Sequence, residues 1–189
     1  LPILIEDRSA LLLQTPASLA ARFALQVHVR HEVVAIDTAA KTVTVLDLDA
    51  GAERVEEFDD LVLAMGAGVT GGIPGDGVPV ISLRSVEDVD AITEVLSGLP
   101  APRAVVAGAG FIGIEAVENL VARGAHVTLV QRGAQVLSPL DPEMASPVHR
   151  ALADAGVELR TGTTITRIHA DGVTLSDGTE VAADLVVDA

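Results

Sequence analysis

Polar and apolar positions alternate along the first third of the chain, which predicts an antiparallel meander. Residues 41–48 have the period-2 alternation of a half-buried strand. Turn residues at 49–51 separate this strand from an edge-like strand over 53–58, and a strand over 27–36 comes before it. A short helix is expected over 16–23.

The apolar run at 61–64 predicts a buried strand that joins a parallel sheet. The segment 66–79, which is rich in Gly and Pro, then reads as a crossing loop. We place the domain boundary after residue 82. This gives a first domain over 1–82 and a second over 83–189.

In the second half of the chain, segments whose apolar residues recur at helical spacing alternate with short apolar strands. Ser85 is expected to cap a helix over 86–96. Residues 104–115 predict a buried strand, a glycine turn and the opening of a helix that ends at Gly124. The pair Asp141-Pro142 opens a further helix. Short strands are predicted at 125–130, 157–159, 163–168, 173–175, 179–181 and 185–187.

Composition narrows the classes of function. The formal net charge of -15 and the 2% aromatic content argue against nucleic-acid partners, and the charge also argues against anionic membrane surfaces. No apolar run approaches the roughly 18 residues that a membrane helix needs. The chain has no cysteine, which excludes disulfides and thiolate chemistry within these residues, and a cytoplasmic location fits best.

The five histidines do not predict a metal site. His28 and His31 are three apart on a predicted strand, so they are expected to face opposite sides. His126 begins a strand and His149 lies on a helix. For each of them, a structural or surface role outweighs catalysis.

The glycines at 108, 110 and 113 form a G-x-G-x-x-G pattern between a strand and a helix. Gly108 permits the tight turn, Gly110 lets the backbone approach a pyrophosphate, and Gly113 lets the helix lie close to the strand. The unpaired amides and the dipole at the helix start form a site for anions. A dinucleotide ligand is therefore predicted; the alternative is a glycine-rich turn that only packs tightly.

Gln131 and Arg132 follow the next strand, where an acidic residue is expected if the ribose 2′-hydroxyl of NAD is bound. An amide can still hydrogen-bond a hydroxyl, whereas an arginine can pair with a 2′-phosphate. The choice between NAD and NADP stays open, with NAD slightly favoured. Glu115 lies one turn inside the helix and is either close to the cofactor or a charge that merely favours the dipole.

The order of motifs resembles the pyridine nucleotide-disulfide oxidoreductase family, in particular its branch of coenzyme A-disulfide reductases and NADH oxidases. The matching segments are 7–9, 14–16, 31–37, 41–45, 61–67, 83–88, 108–115 and 141–145. The resemblance implies an α/β chain: a Rossmann-like three-layer NAD(P)H-binding domain with a parallel sheet and a small antiparallel insert. It is preceded by the later part of an FAD-binding domain, which contains the antiparallel meander.

The same resemblance implies site residues. The backbone amides of Phe111 and Ile112 would face the pyrophosphate, and Glu115 would lie near the contact between nicotinamide and flavin. Gly66, in the 61–67 motif, is carried over as a cofactor-binding residue. Two positions depart from the family pattern: Met65 stands in place of a common threonine and Gln131 in place of a frequent glutamate.

The family also implies an FAD phosphate loop and a redox cysteine before Leu1, and a dimerisation domain after Ala189. We therefore expect a homodimeric, FAD-dependent parent enzyme that passes hydride from NAD(P)H to flavin, and no turnover by this chain alone. The alternative is a non-catalytic nucleotide-binding or structural module that lacks a redox centre.

Overall fold

The computed structural model describes residues 13–66 and 73–189, which form two compact units called here the N-terminal and the C-terminal unit. The 7–9 motif and residues 67–72 of the predicted crossing loop lie outside the described residues. Within the described ranges, no helix combines the length and the apolar character that a bilayer crossing needs.

The N-terminal unit consists of one helix and the predicted meander. Its elements are α1 (Pro16–Phe23), β1 (His31–Asp37), β2 (Thr42–Asp47) and β3 (Ala52–Glu57). Helix α1 begins where Thr15 Oγ1 accepts the N–H of Ser18 at 3.1 Å, with Pro16 at its first turn. The strands pair antiparallel in the order β1-β2-β3, and Val43 and Val45 of the central strand are buried. The meander prediction is confirmed.

Two predictions in this unit are wrong. Residues 61–64 do not form a strand, and Val62 and Leu63 are 85% and 61% exposed. A strand needs a neighbouring backbone to pair with, and no described strand pairs with this segment. The predicted strand over 27–36 begins only at His31 because a turn at 29–30 precedes it.

That turn also corrects the expectation for the two histidines. Because the backbone reverses at Arg30, whose φ is +57°, the rings of His28 and His31 have centroids 5.2 Å apart instead of facing opposite sides. Among residues 13–66 and 73–189, no group of three or more potential ligands could hold a metal ion.

The C-terminal unit contains a five-stranded parallel sheet in the order β4-β11-β5-β6-β7 and an antiparallel sheet in the order β10-β9-β8. Its elements are β4 (Val80–Ser82), α2 (Val86–Leu96), β5 (Arg103–Ala107), α3 (Phe111–Ala122), β6 (His126–Gln131), α4 (Pro142–Asp154), β7 (Glu158–Thr161), β8 (Ile165–His169), β9 (Gly172–Leu175), β10 (Glu180–Ala182) and β11 (Leu185–Asp188). Asp141 occupies the N-cap position of α4 without a side-chain capping bond.

Alternating side chains of the parallel strands divide the core into two clusters. Val106 and Val187 pack with the three helices, whereas Val105 and Val186 pack with the antiparallel sheet around Val173. The unit therefore has three layers: helices, parallel sheet and antiparallel sheet. The predicted α/β, Rossmann-like, three-layer class is confirmed.

Residues 73–82 group with the C-terminal unit, since β4 pairs in parallel with β11. The domain boundary after residue 82 rests on the Gly- and Pro-rich composition of segment 66–79. The assignment of 1–82 to an FAD-binding domain and of 83–189 to an NAD(P)H-binding domain stays a prediction.

Candidate functional site

The carboxyl ends of β5, β6 and β11 meet at one edge of the parallel sheet and border a cavity of about 470 Å³. The chain leaves β5 through α3 to reach β6 on one side, whereas β11 pairs with the other side. Open α/β sheets bind ligands at such a reversal of strand order. The lining comes from Ile73, residues 107–110, 130–132, Ser138, 163–165 and 188–189.

The opposite edge of this sheet is fixed by an ion pair between the starts of β5 and β11. Asp184 accepts the backbone N–H of Arg103 at 2.8 Å and its guanidinium at 2.6 Å. The hydrogen bonds from the Arg103 side chain hold the pKa of Asp184 below its usual value. The pair joins the starts of the two strands whose other ends form the crevice.

Gly108 makes the sharp turn that carries the chain from β5 to α3. Its φ is +105°, a conformation that favours glycine, and a Cβ there would overlap the carbonyl oxygen of Ala189. Its N–H donates to the carbonyl of Val130 at 2.9 Å. The turn is thereby held against the ends of both β6 and β11.

Gly110 and Gly113 differ in what surrounds them. A Cβ on Gly113 would overlap the carbonyl oxygen of Gly108, so α3 lies against the turn only because this residue has no side chain. A Cβ on Gly110 would meet no atom within 4 Å, and its φ of −77° suits any residue. Packing therefore explains Gly113 but not Gly110, which lines the open crevice.

The start of α3 has the features of an anion site. Gly110 is the N-cap, no side-chain hydrogen bond caps this end, and the first turn has no acidic residue. The first intrahelical bond runs from the N–H of Ile114 to Gly110 at 3.0 Å. The N–H groups of the three residues before Ile114 thus have no partner within the helix, and the dipole favours a negative group there.

Gln131 and Arg132 both line the crevice but differ in their partners. Gln131 Nε2 donates to Ser138 Oγ at 3.1 Å, and its Oε1 accepts the N–H of Ala109 at 3.4 Å. The exposed Arg132 makes no ion pair with a carboxylate of residues 13–66 or 73–189. The amide of Gln131 is thus hydrogen-bonded within the protein, whereas Arg132 has no carboxylate partner among the described residues, and the role of either residue as a ligand contact stays a prediction.

The remaining predicted site residues lie outside the cavity lining. Phe111 and Ile112 begin α3 and are 63% and 47% exposed, and Glu115 is exposed one turn further along. Gly113 is buried beneath the turn. Gly66, with a φ of +71°, belongs to the N-terminal unit.

Sequence reasoning missed Ser138, Thr163, Thr164 and Asp188 as lining residues. Asp188 could have been found, because it ends a parallel strand whose carboxyl end must meet those of its neighbours. The other three lie in loops without a local signature, and only the tertiary fold brings them to the crevice.

Comparison with known proteins gives the family. The sequence pattern of the pyridine nucleotide-disulphide oxidoreductases matches residues 6–189. The chain belongs to this family. FAD and NAD(P)H are the cofactors that fit this family. The coenzyme A disulfide reductase of Staphylococcus aureus (strain JH9) is 31% identical over 185 residues.

Those residues cover 97% of this chain and 42% of the reductase, so the chain spans about two fifths of the curated relatives it matches. Two solved structures resemble the whole fold. Reduced Bacillus anthracis CoADR-RHD has a TM-score of 0.92 at 35% identity, covering 100% of this chain and 35% of that one. The water-forming NADH oxidase of Lactobacillus brevis, bound to NADH, has a TM-score of 0.83 at 32% identity. The match covers 97% of this chain and 41% of that one.

Proposed function

We propose that this chain is the NAD(P)H-binding portion of an FAD-dependent oxidoreductase of the coenzyme A-disulfide reductase or NADH oxidase type. The observation that carries the proposal is the open space beside Gly110. A turn that only packs would tolerate a side chain at this position. A diphosphate that approaches the backbone would not.

The roles of the individual residues follow from the geometry of the turn. The N–H groups of Phe111 and Ile112 donate to the diphosphate, and the dipole of α3 adds to the attraction. Gly108 and Gly113 hold the turn and the helix in the position that presents these groups. This local field offsets the net charge of -15, which by itself repels a dinucleotide.

Glu115 is the residue that we assign to the reaction. It lies one helical turn beyond the diphosphate-binding amides, and its exposed carboxylate can help to orient the nicotinamide. FAD, when bound by the parent protein, supplies the ring that accepts the hydride. Gly66 is proposed as a backbone contact of that flavin.

We further propose that the chain prefers NADPH to NADH. No carboxylate follows β6, the Gln131 side chain is engaged with Ser138, and Arg132 lines the crevice without an ion pair among the described residues. A guanidinium suits the 2′-phosphate, which only NADPH carries. This assignment revises the slight preference for NAD that the sequence suggested.

Calorimetric titration of the purified protein with NADPH and NADH tests the binding proposal. We expect heat with both nucleotides and tighter binding of NADPH. A folded protein that gives no heat with either nucleotide would reject nucleotide binding. Tighter binding of NADH would reject the role of Arg132 alone.

The alternative is a nucleotide-binding or structural module without a redox centre. Rapid mixing of the full-length protein with NADPH separates the two proposals. Bleaching of the flavin absorbance supports the enzyme, whereas binding without bleaching supports the module. We propose that the parent protein is a cytoplasmic homodimer without nucleic-acid partners, and that this chain alone does not turn over a disulfide.

A further inference from the structure

The loop of residues 132–140 carries two crevice-lining side chains, Arg132 and Ser138, and is held in an unusual backbone conformation. Leu137 has a φ of +48°, in the left-handed region that a leucine rarely adopts. Such a conformation persists only when the surrounding contacts enforce it, and it is often found at functional sites.

Hydrogen bonds to distant residues hold the middle of this loop. The N–H of Leu137 donates to the carbonyl of Ala109 in the glycine turn at 2.8 Å. Ser138 Oγ accepts Gln131 Nε2, as described above. The N–H of Val136 donates to Nε2 of His149 at 3.2 Å, which ties the loop to α4.

The bond to His149 requires a particular form of the imidazole. Because Nε2 accepts a hydrogen bond, it carries no proton, and the ring proton of the neutral form is on Nδ1. Val136 is 0% exposed, so water cannot replace His149 as the acceptor. Removing the acceptor therefore leaves a buried N–H unsatisfied, which disfavours this conformation of the loop.

We propose that His149 is a positioning residue for nucleotide binding: it accepts the Val136 N–H and so holds the loop in the conformation in which Arg132 and Ser138 line the crevice. The inference rests on the proposed binding of NADPH. It gives a binding role to a helical histidine that contacts no part of the crevice itself. The side chains of Val136 and Leu137 belong to the helix-side core, so we expect the protein to stay folded when this bond is lost, while the loop backbone around Arg132 and Ser138 shifts.

Two substitutions of His149 in the full-length protein test the proposal. His149→Leu keeps the bulk but has no acceptor, and we expect it to weaken NADPH binding about fivefold, the effect of one lost hydrogen bond. The effect on NADH should be smaller, because NADH has no 2′-phosphate for Arg132. His149→Gln can place its Oε1 near the position of Nε2 and should restore the wild-type affinity.

The outcomes separate this proposal from the function it rests on. A wild-type protein that binds neither nucleotide contradicts the proposed function. If the wild type binds NADPH and His149→Leu binds equally well, His149 has no positioning role and the proposed function stands. Failure of His149→Gln to restore affinity, when His149→Leu weakens it, assigns the effect to packing and also overturns the proposal.

The ring nitrogens of His149 give a further test, which uses the wild-type protein alone and needs no variant. In ¹⁵N spectra of the wild-type protein, we expect Nε2 to have the shift of an unprotonated nitrogen and Nδ1 that of a protonated one. A proton on Nε2 in the neutral imidazole would overturn the proposal.

Discussion

Gly113 lies so close to Gly108 that a Cβ on Gly113 would overlap the Gly108 carbonyl oxygen. The first turn of α3 therefore rests directly on the backbone of the turn that precedes it. Gly110, between them, has open space where its side chain would be. The three positions of the motif thus require glycine for different physical reasons, and experiments can separate these reasons.

Gly110→Val should abolish NAD(P)H binding and lower the stability of the protein by no more than a weaker helix cap costs, roughly 1 kcal/mol. A Cβ at this position meets no protein atom within 4 Å, and the valine side chain extends from it into the place proposed for the diphosphate. Calorimetry measures the binding, and thermal unfolding measures the stability. A Gly110→Val variant that binds NADPH like the wild type would contradict the proposed position of the diphosphate.

Gly113→Ala is the matched comparison and should mainly affect folding. Its Cβ must displace α3 from the turn, and overpacking of this kind costs roughly 1–3 kcal/mol. Denaturant unfolding of the two variants side by side tests this difference. Equal loss of stability in both variants would mean that Gly110 is also needed for packing.

The strand, glycine turn and helix at 103–122 could be predicted because their signals are local. Apolar residues, three spaced glycines and a terminal Gly124 lie within one short segment. Gly124 has a φ of +83° and ends α3 as predicted. The parallel sheet follows from the same pattern, because two strands joined by a crossover helix run in the same direction.

Other parts of the structure depend on partners far away in the sequence. The apolar run at 61–64 predicts a strand, but an apolar pattern cannot tell whether a neighbouring strand is available to pair with it. The loop of residues 132–140 is held by hydrogen bonds to Ala109 and His149, and nothing in the sequence of the loop indicates either bond. The bond between Gln131 and Ser138 could not be foreseen from the sequence either, and the role of Gln131 as a ligand contact stays a prediction.

Arg132→Ala should weaken NADPH binding about tenfold or more and leave NADH binding almost unchanged. The expected loss is that of a charge-assisted bond to the 2′-phosphate. Titration with both nucleotides measures the ratio of affinities, which cancels general effects on the fold. Arg150→Ala is the control, because Arg150 donates to Ser146 on α4 and does not line the cavity. An unchanged ratio in Arg132→Ala would exclude Arg132 from nucleotide selection.

Asp88→Ala should destabilise the protein at neutral pH by about 1 kcal/mol, the usual effect of losing a helix cap. Asp88 accepts the backbone N–H groups of Ser85 at 2.7 Å and Arg84 at 2.9 Å, ahead of α2. These bonds, chiefly that from Ser85, stabilise the ionised carboxyl and hold the pKa of Asp88 below its usual 3.8.

The sign of the pH dependence follows from the lowered pKa. Asp88 contributes stability above the unfolded-state pKa, and this contribution is lost as the pH falls through the folded-state value. The difference in the free energy of unfolding between wild type and Asp88→Ala should therefore become smaller when unfolding is measured below pH 3.8. If the difference in unfolding free energy between wild type and Asp88→Ala stays constant with pH, the charge of Asp88 does not contribute to stability.

Glu115→Gln should slow flavin reduction in the full-length protein about tenfold or more while NADPH affinity stays close to the wild-type value. Orientation of the reacting groups affects the rate strongly and the affinity weakly, because the diphosphate and the 2′-phosphate supply most of the binding. Stopped-flow absorbance of the flavin gives the rate, and its dependence on NADPH concentration gives the affinity.

Glu118→Gln is the matched control, since Glu118 is also exposed on α3 but lies three residues further from the turn. It should reduce the flavin at the wild-type rate. If both variants are slowed equally, the effect comes from the charge of the helix as a whole. If neither is slowed, Glu115 only favours the helix dipole, which is the other role that its position allows.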